Sequence, residues 1–123
     1  MDLVDGYLHF LATGEMLPDV FADDVFLDMN VPTWRVQFQG LDAVRASRAH
    51  GGRWDVRPGP VIETPDGFVM ETAIEEAGTG SSRSVNLVTV VDGRIATVVH
   101  YCTGVWDPAT RARHAREVTL IAP

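Results

Sequence analysis

The first half of the chain mixes helical and strand-like spacing of its hydrophobic residues. Apolar side chains within residues 3–11 recur at intervals of three and four, and Gly14 follows them, which predicts an amphipathic helix. Leu17, Val20 and Phe21 favour a second, short helix. The chain is therefore expected to begin with helices, before any strand.

A predicted β-hairpin comes next. The stretch "DVFLDMNVP" predicts a strand that ends at Pro32, and "WRVQFQ" alternates apolar and polar residues as a half-buried strand does. We expect these two strands to pair. Gly40 ends the hairpin, and residues 41–50 then predict a modest helix before Gly51 and Gly52.

The second half predicts strands joined by tight turns, as in an antiparallel meander. The turns are "TPDG", "GTGSS" and Asp92-Gly93. After them, Asp107 followed by Pro108 predicts a last helix, because an N-cap carboxylate and a proline in the first turn both favour helix initiation. The predicted strands cover about residues 54–63, 67–77, 83–92 and 94–105.

Composition and charge narrow the classes of function. The 123 residues suit one domain, and 46% hydrophobic with 22% charged residues is typical of a globular protein. A net charge of -7 argues against nucleic acid as a partner, since phosphate contacts need clustered basic residues. No apolar run approaches the roughly 20 residues that span a bilayer, and no signal-peptide pattern is present, so we expect a cytoplasmic protein without membrane contact.

The inventory of reactive residues excludes several chemistries. All basic residues are arginine, so no mechanism can use a Schiff-base lysine. The single cysteine cannot form an internal disulfide, and no Cys or His spacing typical of zinc occurs, so we expect no metal. No phosphate-binding loop is present either, and we expect no cofactor.

The predicted order of elements gives an α+β fold in which a curved antiparallel sheet wraps over N-terminal helices and encloses a cavity. The stretches "FADDVFLDMNVP", "FQGLDAV" and "VVDGRIATVVHY" resemble the nuclear transport factor 2-like superfamily, which includes SnoaL-like polyketide cyclases, ketosteroid isomerases and limonene epoxide hydrolases. The resemblance covers nearly the whole chain as a single domain, 1–123. It implies a cone-shaped, cystatin-like sheet and a homodimer formed through the outer face of that sheet. It leaves the reaction open, because this fold carries many functions.

His100 is the first candidate for chemistry, since it interrupts an apolar strand and shares a face with Cys102 and Trp106. In the SnoaL-like and epoxide-hydrolase members, the seventh residue after the glycine of the last hairpin is an acidic group that points into the cavity. Counting from Gly93 gives His100 here. The resemblance thus implies an acid or base near neutral pH, and the alternative is a core or interface histidine with one satisfied hydrogen bond.

Asp28 and Asn30 lie two residues apart on one face of the first predicted strand. The stretch "DMNVP" resembles the epoxide-hydrolase segment in which a tyrosine and an asparagine before a proline hold the attacking water. Asn30 matches that asparagine, and Asp28 stands in place of the tyrosine. A comparison with the ketosteroid isomerases instead puts Met29 at their catalytic aspartate. The two comparisons disagree on the inward face, and we favour Asp28 and Asn30 inward over a partly exposed edge strand.

Glu75 is the second acidic candidate, after Asp28. Epoxide hydrolases carry an Arg-x-Asp pair on this strand, and the resemblance puts Glu75 at the acid and Ala73 at the arginine. The arginine is therefore absent, and Arg35, Arg45 or Arg83 would have to replace it. The alternative is a solvated side chain, because the opposite face of this strand is more apolar.

The aromatic residues and the cysteine are candidates for the wall of a substrate pocket. Cys102 has two interpretations, a small buried thiol or a nucleophile that a neighbouring base would have to activate. Periodicity alone does not separate a pocket wall from an ordinary core. The predicted substrate-binding residues are Phe26, Trp34, Trp54, Cys102 and Trp106.

The sequence leaves two hypotheses for function. The first is a cofactor-independent enzyme that isomerises, cyclises or hydrates a small apolar molecule. In it, His100 acts as acid or base, Asp28 orients it or shares its proton, and Asn30 positions water or a carbonyl oxygen. The second is a non-catalytic domain that binds a small ligand or serves in dimerisation.

Overall fold

The computed structural model describes residues 2–49 and 52–122. In these ranges the chain forms three helices and six strands. They are α1 (Leu3–Thr13), β1 (Phe21–Val31), β2 (Trp34–Gln39), α2 (Leu41–Ser47), β3 (Asp55–Thr64), β4 (Gly67–Glu76), β5 (Gly80–Val91), β6 (Arg94–Cys102) and α3 (Pro108–Glu117).

The strands form one sheet in the order β2-β1-β6-β5-β4-β3. The hairpin β1–β2 and the meander β3–β6 are antiparallel, which confirms both predictions. Strand β1 pairs with β6 in parallel, so the sheet is mixed rather than purely antiparallel. This pairing places Met29 beside His100, and His100 lies opposite Asn86 on the other side.

The predicted second helix is wrong. The segment before β1 is a turn in which Asp19 has a φ of 66°, and Phe21 is already the first residue of β1. The Ile95 N–H donates to the carbonyl of Val20 at 2.8 Å, so β6 holds this segment in an extended path. Of the apolar residues that suggested a helix, Phe21 belongs to β1, while Leu17 and Val20 lie in the segment that leads into this strand.

Three predicted boundaries also shift. Helix α2 ends at Ser47, while His50 and Gly51 lie outside the described residues. Strand β5 begins at Gly80 because its register with β4 continues up to the turn, and β6 ends at Cys102, two residues before Gly104 with a φ of 80°.

Helix α1 packs against the inner face of the sheet. Its buried side chains include Tyr7 and Phe10, and the Phe10 ring meets Phe21 edge-on with centroids 5.2 Å apart. A Cβ at Gly6 would lie 2.6 Å from Val20 Cγ2, so this glycine allows the helix to approach the start of β1 closely. The helix thereby covers one end of the sheet's concave side.

Helix α3 begins as the sequence predicts. The Asp107 carboxylate accepts a hydrogen bond of 2.7 Å from the Thr110 N–H, and Pro108 occupies the first turn. The helix buries no residue completely, and its Arg111 lies 3.5 Å from the Glu75 carboxylate. It is therefore a surface helix that contributes little to the core.

Candidate functional site

A cavity of about 320 Å³ lies between α1, α2 and the inner face of the sheet. Apolar side chains such as Phe10, Phe21, Leu27 and Val98 supply most of its wall. The polar members of the lining are Tyr7, Ser47, Arg48, Trp54, Glu76, Ser82, Ser84, His100 and Cys102.

His100 lines the cavity and takes part in a buried hydrogen-bond network. Its Nδ1 lies 2.8 Å from Asn86 Oδ1. Asn86 Nδ2 donates to the carbonyl of Met70 and to Thr72 Oγ1, both at 3.1 Å. Since a carbonyl only accepts, the amide orientation is fixed, and Oδ1 must accept from His100. The network therefore keeps the proton on Nδ1 and leaves a lone pair on Nε2.

Tyr7 completes the network from helix α1. Its hydroxyl donates to Asn86 Oδ1 at 2.7 Å, and burial raises the pKa of this phenol above its usual range. Tyr7 is therefore a neutral hydroxyl whose proton is already engaged. Asn86 on β5 thus connects helix α1 by hydrogen bonds to β5 itself and, through Met70, Thr72 and His100, to β4 and β6.

Burial decides the charge of His100. The residue is 8% exposed, and burial lowers the pKa of its imidazole to about 4. In the described ranges no carboxylate forms an ion pair with it. At neutral pH the ring is therefore uncharged, and its Nε2 can accept a proton or a hydrogen bond.

Arg48 and Trp54 form the wall near the C-terminal end of α1. The guanidinium donates to the carbonyls of Leu11, Ala12 and Gly52 at 2.7, 3.0 and 2.6 Å. It also lies 3.6 Å from the centroid of the Trp54 ring. These bonds hold the aromatic ring in place as a rigid side of the cavity.

The structure corrects the predicted facing of Asp28 and Asn30. Leu27 and Met29 line the cavity, so the two polar residues point to the outer face of the sheet. Arg35 on β2 donates to both oxygens of the Asp28 carboxylate, at 2.9 and 2.7 Å, and lowers its pKa. The expectation that a buried aspartate needs a pocket was wrong, because a neighbouring strand satisfies it.

Glu75 is likewise outside the cavity. It is exposed and lies 3.5 Å from Arg111, so its predicted place at the site is wrong. Alternation along β4 instead puts Thr72, Ile74 and Glu76 on the inner face, and Glu76 is the acidic residue of the lining.

The predicted substrate-binding residues divide between wall and surface. Trp54 and Cys102 line the cavity, and Cys102 Sγ accepts from the Gly104 N–H at 3.2 Å. The other three do not line it: Trp34 is 71% exposed at the hairpin turn, Phe26 shares the Asp28 face of β1, and the Trp106 ring packs on His114 with centroids 5.1 Å apart. Side-chain direction along each strand, rather than aromatic character, makes the difference.

Sequence reasoning missed Tyr7, Asn86 and Ser84. The signal for the last two was period-two polarity in "SSRSVNLVTVV". The opposite face of β5 carries Val85 and Leu87, which are more apolar, so the pattern pointed the wrong face inward. Tyr7 sat in the apolar stripe of α1, where nothing distinguished it from a core aromatic.

Two further points concern clusters of metal-ligating side chains and helices that could span a membrane, both within the described residues. No three His, Cys, Asp or Glu side chains in residues 2–49 and 52–122 come together in a way that could hold a metal ion. None of the helices in the same ranges is both long and apolar enough to cross a membrane.

No protein-family model matches this sequence, and neither does any curated protein. Solved structures do match the chain, over most of its length. A nuclear transport factor 2-like protein of unknown function from Burkholderia xenovorans has a TM-score of 0.69 at 15% identity, covering 98% of this chain and 93% of its own. A candidate ketosteroid isomerase from Kribbella flavida has a TM-score of 0.69 at 17% identity, covering 98% and 88%.

An LEH-like epoxide hydrolase from M. tuberculosis is similar over 81% of this chain and 79% of its own, with a TM-score of 0.61 at 18% identity. At such identities the likeness establishes the fold, and the named activities remain those of the other proteins. The chain has the fold of the nuclear transport factor 2-like superfamily, as the resemblance in its sequence implied.

Proposed function

We propose that this protein is an enzyme that transfers a proton within a small apolar molecule, with His100 Nε2 as the base. The observation that carries the proposal is the fixed tautomer of His100. The Nδ1–H of His100 donates to Asn86 Oδ1 at 2.8 Å. The neutral imidazole therefore keeps its free lone pair on Nε2, and His100 lines an apolar cavity. An aligned base in a pocket is what general base catalysis requires.

The proton transfer can be written with the residues present. Nε2 takes a proton from a carbon next to a carbonyl, and the electron pair of that C–H bond moves toward the carbonyl oxygen. The imidazolium that forms keeps its Nδ1–H bond to Asn86 and faces the new negative charge on the substrate. Returning the proton at another carbon completes an isomerisation, and the same base would serve a cyclisation or a hydration.

The cavity limits the substrate by size and polarity. Its volume of about 320 Å³ is near the lower end of the roughly 300–1,000 Å³ range of ligand pockets. Its wall is mainly aliphatic and aromatic. We therefore propose a compact, mostly hydrocarbon substrate of one or two rings. Such proton transfers need no redox group, so the proposed reaction is independent of a cofactor.

Deuterium exchange tests the proposal. The protein is incubated with 1-tetralone, a bicyclic apolar ketone, in D₂O, and mass spectrometry follows deuterium at the carbon beside the carbonyl. We expect the wild type to accelerate exchange and His100→Gln to reduce the acceleration about 100-fold or more. His114→Gln is the matched control, since this histidine packs on Trp106 outside the cavity and its loss should leave the rate unchanged.

Two outcomes contradict the proposal. Exchange in the wild type no faster than in buffer, with the ketone bound and recovered unchanged, would favour the alternative, a domain that binds a small ligand without catalysis. Equal acceleration by the wild type and His100→Gln would remove His100 from the mechanism.

A further inference from the structure

Two buried polar atoms of the described residues lack a hydrogen-bond partner, namely Ser84 Oγ and Trp54 Nε1. Buried polar atoms are nearly always paired, because an unpaired one loses its hydration without compensation. Both residues line the same cavity. An occupant that carries a hydrogen-bond acceptor would satisfy such groups, whereas a pure hydrocarbon would not.

Ser84 is well placed relative to the proposed base. On the paired strands, Ser84 lies opposite Cys102 and Asn86 lies opposite His100, so Ser84 and His100 are diagonal neighbours. Diagonal neighbours of an antiparallel pair are about 7 Å apart, and both of these side chains face the cavity. The distance suits a small molecule that touches one side chain with its oxygen and the other with an adjacent carbon.

Several other polar side chains of the cavity wall already have partners, and Ser47 Oγ donates to the Val44 carbonyl at 2.6 Å. The Tyr7 proton is donated to Asn86, and Cys102 Sγ accepts from the Gly104 N–H. Ser84 is 5% exposed, and its hydroxyl is not used by any group in the described part of the chain. It is therefore a hydroxyl donor that the fold leaves without a partner among the described residues, as it leaves the indole donor Trp54 Nε1.

We infer that the Ser84 hydroxyl binds the oxygen of the substrate, so that the cavity takes a small apolar ketone in preference to a hydrocarbon. This inference rests on the proposed function and names the substrate class for it. When a carbon beside the carbonyl loses its proton to His100 Nε2, the electron pair of the C–H bond becomes negative charge on the ketone oxygen. The hydrogen bond from Ser84 strengthens at that moment and stabilises the charge.

The test compares two ligands that differ by the ketone oxygen. The wild type, Ser84→Ala and Ser81→Ala are titrated with 1-tetralone and with tetralin, which has the same two rings without the oxygen, and calorimetry gives each affinity. We expect the wild type to prefer the ketone. Ser84→Ala should weaken ketone binding about 3- to 10-fold and leave tetralin binding unchanged. Ser81 lies on the same strand with its side chain toward the other face, so its loss should change neither affinity.

The ratio of the two affinities separates ligand recognition from a structural role. If Ser84→Ala weakens both ligands equally, Ser84 only shapes the wall and the inference is wrong. A wild type without preference for the ketone also overturns it. Ser84→Ala should fold normally, with an unchanged or higher Tm, because its hydroxyl has no partner among the described residues to lose.

The inference and the proposed function can fail separately. A ketone preference that depends on Ser84, together with no deuterium exchange by the wild type, would retain the oxygen site and reject the enzyme. Exchange that depends on His100, with no effect of Ser84→Ala on the affinity ratio, would retain the enzyme and reject the oxygen site.

Discussion

The two faces of the sheet each bury one titratable side chain where β1 and β6 run side by side. Asp28 on the outer face is 6% exposed, and His100 on the inner face is 8% exposed. Arg35 donates two hydrogen bonds to the Asp28 carboxylate, which lowers its pKa and keeps it charged. Burial without a counter-charge lowers the pKa of His100 to about 4 and keeps it neutral.

The comparison shows that burial alone does not mark a reactive group. Both Asp28 oxygens already accept hydrogen bonds from Arg35, so this carboxylate connects two strands. His100 has one nitrogen tied to Asn86, and its other nitrogen has no partner in the described residues. What distinguishes a candidate site from a structural ion pair is the polar atom that the fold leaves unused.

The largest expected effect on stability comes from replacing Asn86, the asparagine beside His100. Asn86→Leu would leave the Tyr7 hydroxyl and the His100 Nδ1–H buried without partners. We expect it to lower the free energy of unfolding by about 3–5 kcal/mol, measured by urea denaturation.

Asn30→Leu is the matched substitution on the outer face. The Asn30 side chain is only half-buried, and its two hydrogen bonds are long, at 3.4 Å. We expect a loss below about 1 kcal/mol. Similar losses in the two variants would show that the inner network is no more important to the fold than the outer one.

The second prediction uses the pKa of His100. The folded value is about 4 and the unfolded value is near 6.5, so between these two pH values the unfolded chain binds a proton that the folded chain does not. Stability should therefore fall as the pH drops from about 6.5 to 4, with His100 contributing about 3 kcal/mol of the loss. Urea denaturation of the wild type and His100→Gln across this range measures that contribution as the difference between them.

Asp28→Asn provides the control for this pH range. The folded pKa of Asp28 lies below its ordinary 3.8, so its contribution to stability is present above that value and is lost only as the pH falls further. The variant should therefore keep the loss between pH 6.5 and 4 that the wild type shows. If His100→Gln kept that loss too, His100 would not be the buried neutral group inferred here.

Much of the fold follows from local sequence signals. The alternation in "WRVQFQ" matches β2 (Trp34–Gln39), and Asp107 with Pro108 begins α3 as expected. The meander β3–β6 is also predictable from the sequence, because a glycine in each of its turns marks where one strand ends and the next begins. The parallel pairing of β1 with β6 could not be read from these signals, because it depends on contacts between residues about 70 positions apart, such as Met29 and His100.

The site was only partly predictable. His100 was found because a polar residue in an apolar strand is conspicuous. The facing predicted for Asp28 was wrong because its partner, Arg35, lies on the other strand of the hairpin, and only the register of β1 with β2 brings the two side chains together. Asn86 and Tyr7 were missed because each is unremarkable on its own strand or helix, and their importance comes from the hydrogen bonds that meet at one amide oxygen.

The last prediction concerns the outer face, where the expected effect on the cavity is smallest. Val85, Leu87 and Tyr101 lie together on paired strands and are 37%, 40% and 53% exposed. Such an apolar patch favours association, and we predict a homodimer formed through it. Light scattering should give twice the chain mass for the wild type and a single chain for Leu87→Arg, with 1-tetralone affinity unchanged. A monomeric wild type would contradict the dimer, and lost affinity in Leu87→Arg would show that the two faces are coupled.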